Sequence, residues 1–372
     1  MIRFDKVFKC ECLGEVMEKV LFLGRFSPPM HGAARMNDLY YDVLKKKYDV
    51  EKIKINYYSS LEEMGRFSFV KLFGVLAVFF KLFYRLVIFK PKLVLFEIAP
   101  RGFAFYRDSV YAFVCKLFKR KIIFAIHSRE VDRKRFKFVV GKSKVILLSE
   151  SLYEEMSNVF SRENVYFLGN GILDEIDDGK FKVIMKQRAL NKKPIFVFLS
   201  NMIESKGTLE TLELCSKLKK AKIDFKCFFV GAFPNGDLRS EWFSKLEEFG
   251  LEGKCEYLGV KYGNEKIEIL ASANWLVFPT DYPTESYPLV ILEAFMLGVP
   301  VVSYDTGAIK DIVVKDYLGF VSKKKSVDEL FGYLKKNIER KNWSRVREYF
   351  KRNYTIEIAG EKLLDIVDGE LK

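Results

Sequence analysis

The sequence predicts an α/β fold of two facing Rossmann-like domains with a cleft between them, and three observations predict it. Short apolar runs alternate with helical patterns along both halves of the 372 residues. Small or polar loops directly follow several of these runs, where open parallel sheets bind ligands. An acidic, glycine-bearing stretch, Asp174 to Gly179, separates the halves and reads as a linker. The expected division is residues 1–178 and 179–372, each long enough to bury a core of its own.

In the first half, residues 1–18 read as a preamble to a strand at Lys19 to Leu23. A loop with Pro28, Pro29, His31 and Gly32 follows, then a helix through Tyr48. Its small residues suit close approach of backbone to a phosphate or sugar. His31 is a candidate for ligand contact on the acceptor side, as is Arg107 in a later helix. Strands are expected at Pro91 to Phe96, Ile122 to Ile126, Val145 to Leu148 and Val165 to Leu168. His127 ends the second of these, at the sheet edge where ligands bind. A Gly-x-Gly-x-x-Gly fingerprint is absent, and Gly141-Lys142-Ser143 lacks the earlier glycine of a phosphate loop.

In the second half, Ile195 to Leu199 delivers a loop with Asn201 and Lys206, the latter a point charge suited to a diphosphate. Strands at Lys226 to Val230 and Cys255 to Leu258 lead to Trp275 to Phe278. A tight polar loop, Tyr282 to Ser286, then runs into a helix that Pro288 opens and Gly298 closes. The unpaired N–H groups and dipole of this helix start suit a phosphate. Glu285 precedes the helix and Glu293 lies inside it, so one carboxylate reaches past the phosphates while the other stays beside the nucleoside. A carboxylate accepts hydrogen bonds from a vicinal diol, as a sugar or ribose offers.

Glu285 and Glu293 in this setting resemble the Glu-x7-Glu signature of the retaining glycosyltransferases of family four, the group 1 family. The resemblance implies the GT-B architecture, with Glu285 on the donor sugar and Glu293 on the ribose. It implies that the stretch Ser286, Tyr287, Pro288, Leu289 and Val290 holds the diphosphate. It places Gly32 and the Thr306-Gly307 turn near the donor and His127 near the transferred sugar. Lys206 stabilises the leaving group; its usual arginine neighbour is replaced by Asn201. Ser286-Tyr287-Pro288 stands where that family often carries Gly-Phe-Gly. The catalytic set is then His127, Glu285 and Lys206, and the last helix packs back across the first domain. No Asp-x-Asp pair occurs outside the linker, so neither metal nor cofactor is expected.

The formal charge of +14 is unevenly placed: between Arg66 and Lys144 nineteen Lys/Arg face four Asp/Glu. In Arg66 to Phe89, aromatic residues interleave with Leu and Val, and Lys71, Lys81 and Arg85 gather within an arc of about 80°. This pattern favours an anionic membrane surface over nucleic acid as partner, with a core helix whose lysines snorkel as the other reading. No run is long and apolar enough to span a bilayer. The start of the chain lacks a leader pattern, which gives the expectation of a cytoplasmic protein peripheral to the inner membrane face. The six cysteines, Cys10, Cys12, Cys115, Cys215, Cys227 and Cys255, are read as scattered reduced thiols.

The expected activity is transfer of a sugar from a nucleotide-diphosphate donor to a saccharide acceptor, lipid-linked, in bacterial surface polysaccharide or lipopolysaccharide synthesis. Two other readings stay open at this point: a nucleotide-sugar epimerase or isomerase of the same fold, and a non-catalytic membrane-peripheral binding subunit.

Overall fold

The computed structural model describes residues 17–28, 32–55, 69–129, 131 and 133–372. His31 lies outside them, as do Cys10, Cys12, Arg66 and Phe67.

The first sheet has six parallel strands, β1 (Lys19–Gly24), β2 (Asp49–Lys54), β3 (Leu93–Glu97), β4 (Lys121–Ile126), β5 (Lys144–Leu147) and β6 (Val165–Phe167), ordered β2-β1-β3-β4-β5-β6. Around it run α1 (Gly32–Leu44), α2 (Phe69–Ile88), α3 (Gly102–Leu117), α4 (Arg133–Val140) and α5 (Glu150–Met156). After α6 (Asp178–Ala189) comes a second parallel sheet, β7 (Ile195–Leu199), β8 (Lys226–Val230), β9 (Cys255–Gly259), β10 (Trp275–Phe278), β11 (Val301–Tyr304) and β12 (Gly319–Ser322), ordered β12-β11-β10-β7-β8-β9. Its helices are α7 (Thr208–Lys220), α8 (Gly236–Glu248), α9 (Gly263–Ser272), α10 (Leu289–Met296), α11 (Ile309–Ile312), α12 (Val327–Asn337) and α13 (Trp343–Asn353). The chain closes with α14 (Ile356–Leu371).

The strands form where the sequence is almost continuously apolar, because helices cover both sheet faces. Leu21 and Leu23 of β1 enter one core layer while Val20 and Phe22 enter the other, following the two-residue repeat of a strand. Two strands escape the sequence reading. Both β2 and β12 are edge strands; β2 reads DVEKIK and buries only Val50 and Ile53.

The stretch Asn342 to Val367 is not one helix. It breaks at Thr355, whose side chain accepts a hydrogen bond from the Ile358 amide and caps α14. Ile172 and Thr355 form an isolated bridge at the same point. From there α14 turns onto the first sheet's core, where Ile356, Ala359, Leu363 and Val367 pack with Met36, Tyr40 and Val43 of α1.

The helices α2, α3 and α4 present a different face. Val78, Leu82 and Leu86 of α2 enter the core with Tyr111 of α3 and Phe136 of α4. Phe73, Phe80, Tyr84 and Ile88 of α2, Phe103 and Phe113 of α3 and Phe138 of α4 are exposed, Phe103 at 94% and Phe138 at 89%. Exposed Lys81, Lys119, Lys134, Arg135 and Lys137 accompany them. No helix among the described residues is long and apolar enough to cross a membrane.

Strand order fixes where loops converge. In the second sheet the chain builds outward from β7 through β8 and β9, and from β10 through β11 and β12 on the other side. The break lies between β7 and β10, so the loops leaving these two strands face one crevice. In the first sheet the corresponding break lies between β1 and β3.

Candidate active site

The loop after β7 carries Lys206 and the loop after β10 carries Glu285, and the crevice between them brings the two together. The Lys206 Nζ donates to Glu285 Oε2 at 2.6 Å, with side chains only 16% and 11% exposed. The same ammonium lies 4.3 Å from the Tyr282 ring centroid, a cation–π contact. The Asp281 amide donates to the Ser205 carbonyl at 2.8 Å, tying the two loops together directly.

Two glycines make this approach possible. Gly207, at φ +89°, stands where a Cβ would overlap the Pro279 carbonyl. Gly307, at φ +58°, stands where one would overlap the carbonyls of Glu285 and Ser286. Both positions combine left-handed backbone with close packing, which only glycine meets without strain. Ser286 receives the Ala308 amide on its carbonyl at 2.8 Å and donates its hydroxyl to Thr284 at 3.2 Å. Thr306 is buried and donates its hydroxyl to the Thr280 carbonyl at 2.8 Å. The Thr306-Gly307 turn, expected near the donor, thus also supports the Glu285 loop from beneath.

Glu293 has other partners. Its Oε1 receives Arg35 of α1 at 3.1 Å and Lys266 of α9 at 2.8 Å, and Arg35 also reaches Glu175 at 3.4 Å. These four side chains line a hollow of about 140 Å³ between the lobes, with Ile172, Met296 and Leu297 as its apolar floor. Two cations on one carboxylate make this a polar pocket. Arg35 and Lys266 were not singled out in the sequence: Arg35 lies 258 positions from its partner, and local spacing carries no sign of the contact.

The start of α10 joins the lobes. Pro288 is its N-cap residue and supplies no side-chain cap. The Tyr287 side chain packs against cores of both lobes, as does that of Leu289, while Val290 is half-buried. Burial pushes the Tyr287 phenol up from its ordinary value. The Asn170 side chain donates to the Tyr287 carbonyl at 3.2 Å, and Tyr40 donates to the Gly169 carbonyl at 3.1 Å. Across the gap, Gly32 opens α1, and a Cβ there would meet the Leu289 side chain at 3.8 Å. Two helix N-termini therefore face each other across the interlobe space.

At the first sheet's crevice stands an acid the sequence reading passed over. Glu97, at the end of β3, is fully buried. Its carboxylate accepts the Arg25 amide at 2.8 Å and also receives the Arg25 guanidinium and the Asn37 side-chain amide. Burial raises its pKa, but Arg25, nearby His127 and these hydrogen bonds outweigh burial and hold the carboxyl below its ordinary value. His127 follows β4, half-buried, beside Asn37 and Tyr40. Arg107 is tied up elsewhere: it donates to Asp108 at 2.7 Å and to the Ile55 carbonyl at 3.0 Å, pinning α3 to the segment after β2. Asn201 is exposed after β7, and its carbonyl accepts the Ile203 amide at 2.8 Å.

Beside Asp281 an open groove of about 550 Å³ separates the lobes, lined by Arg129, Arg133 and Glu155 on one side and Asp281, Pro283 and Lys325 on the other.

Two six-stranded parallel sheets with their switch-point loops gathered at an interlobe cleft make up the GT-B fold. A glycosyltransferase structure from Rickettsia africae shares this fold with a TM-score of 0.76 at 16% identity, over 95% of this chain and 99% of that one. Anabaena HepE in complex with UDP-glucose shares it with a TM-score of 0.66 at 15% identity, over 94% and 99%. Residues 180–355 match the family model of glycosyl transferases group 1. Among curated relatives, the putative colanic acid biosynthesis glycosyltransferase WcaL of Escherichia coli is 27% identical over 133 residues, 34% of this chain and 31% of that protein. The chain spans about half or less of the length of the curated relatives it matches.

Proposed function

We propose that this protein is a retaining glycosyltransferase that moves a sugar from a nucleotide-diphosphate donor to a saccharide acceptor in surface polysaccharide synthesis. The observation that carries the reading is the Lys206–Glu285 pair at the β7/β10 switch point. The names of relatives support the pathway class, WcaL being named for colanic acid biosynthesis.

In this reading the nucleoside sits in the hollow around Glu293, with its ribose on that carboxylate and Arg35 and Lys266 beside the phosphates. The amides at the start of α10 receive the diphosphate. The anomeric C–O bond breaks, and the electron pair leaves with the diphosphate, whose growing charge Lys206 neutralises. The acceptor hydroxyl attacks the same face and passes its proton to the departing phosphate oxygen. Glu285 and His127 orient the sugar hydroxyls during this exchange. The cation duty falls to lysine and arginine side chains, so the reaction needs neither metal nor cofactor. The groove beside Asp281 is the acceptor's approach. A thermal-shift panel of nucleotide sugars tests the donor, since a ligand held only by the native state raises the melting temperature. Incubating the selected donor with and without saccharide acceptors, followed by mass analysis, tests the reaction. Conversion of the donor to an isomer with no acceptor present would overturn the transfer reading in favour of epimerisation.

The acceptor is lipid-linked in this reading, and the enzyme sits on the cytoplasmic face of an anionic membrane. The exposed Phe73, Phe80, Phe103, Phe113 and Phe138 with neighbouring lysines support it, because soluble surfaces rarely carry so broad an apolar patch. Each surface cation adds about 1 kcal/mol at an anionic leaflet. Cosedimentation with vesicles is expected to be strong with anionic lipid and weak with zwitterionic lipid. A Phe103→Ser, Phe113→Ser, Phe138→Ser triple variant is expected to lose at least tenfold in vesicle affinity with its melting temperature unchanged. Equal binding to both vesicle types would remove the membrane from the proposal.

A further inference from the structure

Three of the cysteines that look scattered in the sequence converge in the fold. Cys215 projects from α7, Cys227 from β8 and Cys255 from β9, the last two being register partners on adjacent strands. Their sulfur atoms all lie within 4.8 Å of one another, and the residues are 1%, 0% and 5% exposed. Leu212, Leu218, Phe225 and Leu251 share the same core. Three sulfurs placed around one ion at a metal–sulfur distance of about 2.3 Å stand about 4 Å apart, so the cluster already has close to the spacing of a ligand set.

We propose that Cys215, Cys227 and Cys255 form a closed three-thiolate site for one soft, thiophilic metal ion, a structural staple remote from the sugar-transfer chemistry. The donor set decides the class of ion. Among the described residues no histidine, aspartate or glutamate joins the cluster, so it offers nothing to hard, oxygen-seeking cations. Thiolate sulfur selects soft ions, and three ligands favour low coordination over the four of a structural zinc site.

A divalent ion held by all three sulfurs as thiolates displaces their three protons to solvent and leaves a complex of net charge −1. The site would pin α7 to β8 and β9, and α7 begins directly after Lys206 and Gly207.

Cadmium(II) is the probe, added to the full reduced chain carrying Cys10→Ser and Cys12→Ser so that this second pair takes no part. The expected result is one ion per chain by native mass spectrometry, a sulfur-to-metal charge-transfer band, and a higher melting temperature. Cys227→Ala and Cys255→Ala are expected to lose the band and the thermal gain, while Cys115→Ala keeps both. Failure to bind a stoichiometric ion would overturn the proposal, as would a band that survives Cys227→Ala. A disulfide among the three cysteines in place of the bound ion would also overturn it. Because mass and absorbance are read first on the chain with the native trio, a variant that fails to fold does not blunt the test.

Discussion

Lys206→Ala is expected to lower turnover of the preferred nucleotide sugar by about 10²- to 10³-fold, the usual cost of losing one preorganised charge partner of the transition state. The ammonium is held by Glu285 at 2.6 Å and steadied over the Tyr282 ring. Under the proposed function, these contacts preplace the cation for the diphosphate. Lys206→Arg keeps the charge but brings a planar fork in place of a compact ammonium, and partial activity is expected from it. Steady-state kinetics with the donor found by thermal shift checks the prediction. A loss below tenfold in Lys206→Ala would mean that the leaving group is stabilised elsewhere.

Glu97→Ala is expected to destabilise the first lobe by about 3 kcal/mol, the lower end of the range for breaking a buried ion pair. The carboxylate is fully buried, and its removal leaves the Arg25 guanidinium and the Asn37 amide without their acceptor. Because the Arg25 side chain is 25% exposed, water takes over part of the lost interaction. The pH dependence follows from the direction of the shift. Glu97 is held below its unfolded value, so its contribution is fully present above an unfolded glutamate pKa of about 4.3 and is lost as pH falls through the folded value. Urea unfolding of the wild type and Glu97→Gln should therefore differ most at neutral pH and converge in acid. A gap that widens below pH about 4 would contradict this account.

Glu97 also marks the limit of what the sequence discloses. Glu285 and Lys206 were legible because each follows an apolar run closely, and parallel topology gathers the loops after such runs. The strands β7, β8 and β10 were legible for the same reason, being short, apolar and bounded by turn residues. Edge strand β2 was not, because its alternating charges break the apolar pattern, and β12 was not, because it is only four residues long and opens on glycine. Arg35 and Lys266 on Glu293 depend on how the three helices α1, α9 and α10 meet, which no local periodicity encodes. Thr306, Tyr287 and Leu289 show the complementary case: the family resemblance put them beside the site, while packing gives their side chains structural contacts. The convergence of Cys215, Cys227 and Cys255 is hidden likewise, since a helix and two strands must assemble before it exists.

The route of α14 makes covalent order and physical membership disagree. The sixteen residues of α14 are synthesised after the whole second sheet, yet their apolar face belongs to the lobe made before it. That lobe leaves the ribosome with Val43, Tyr40 and Met36 still uncovered, and it finishes its interior only after the entire second sheet has emerged. Grafting lobes between relatives would accordingly succeed only when the tail travels with the amino-terminal half, making the exchangeable unit discontinuous along the gene.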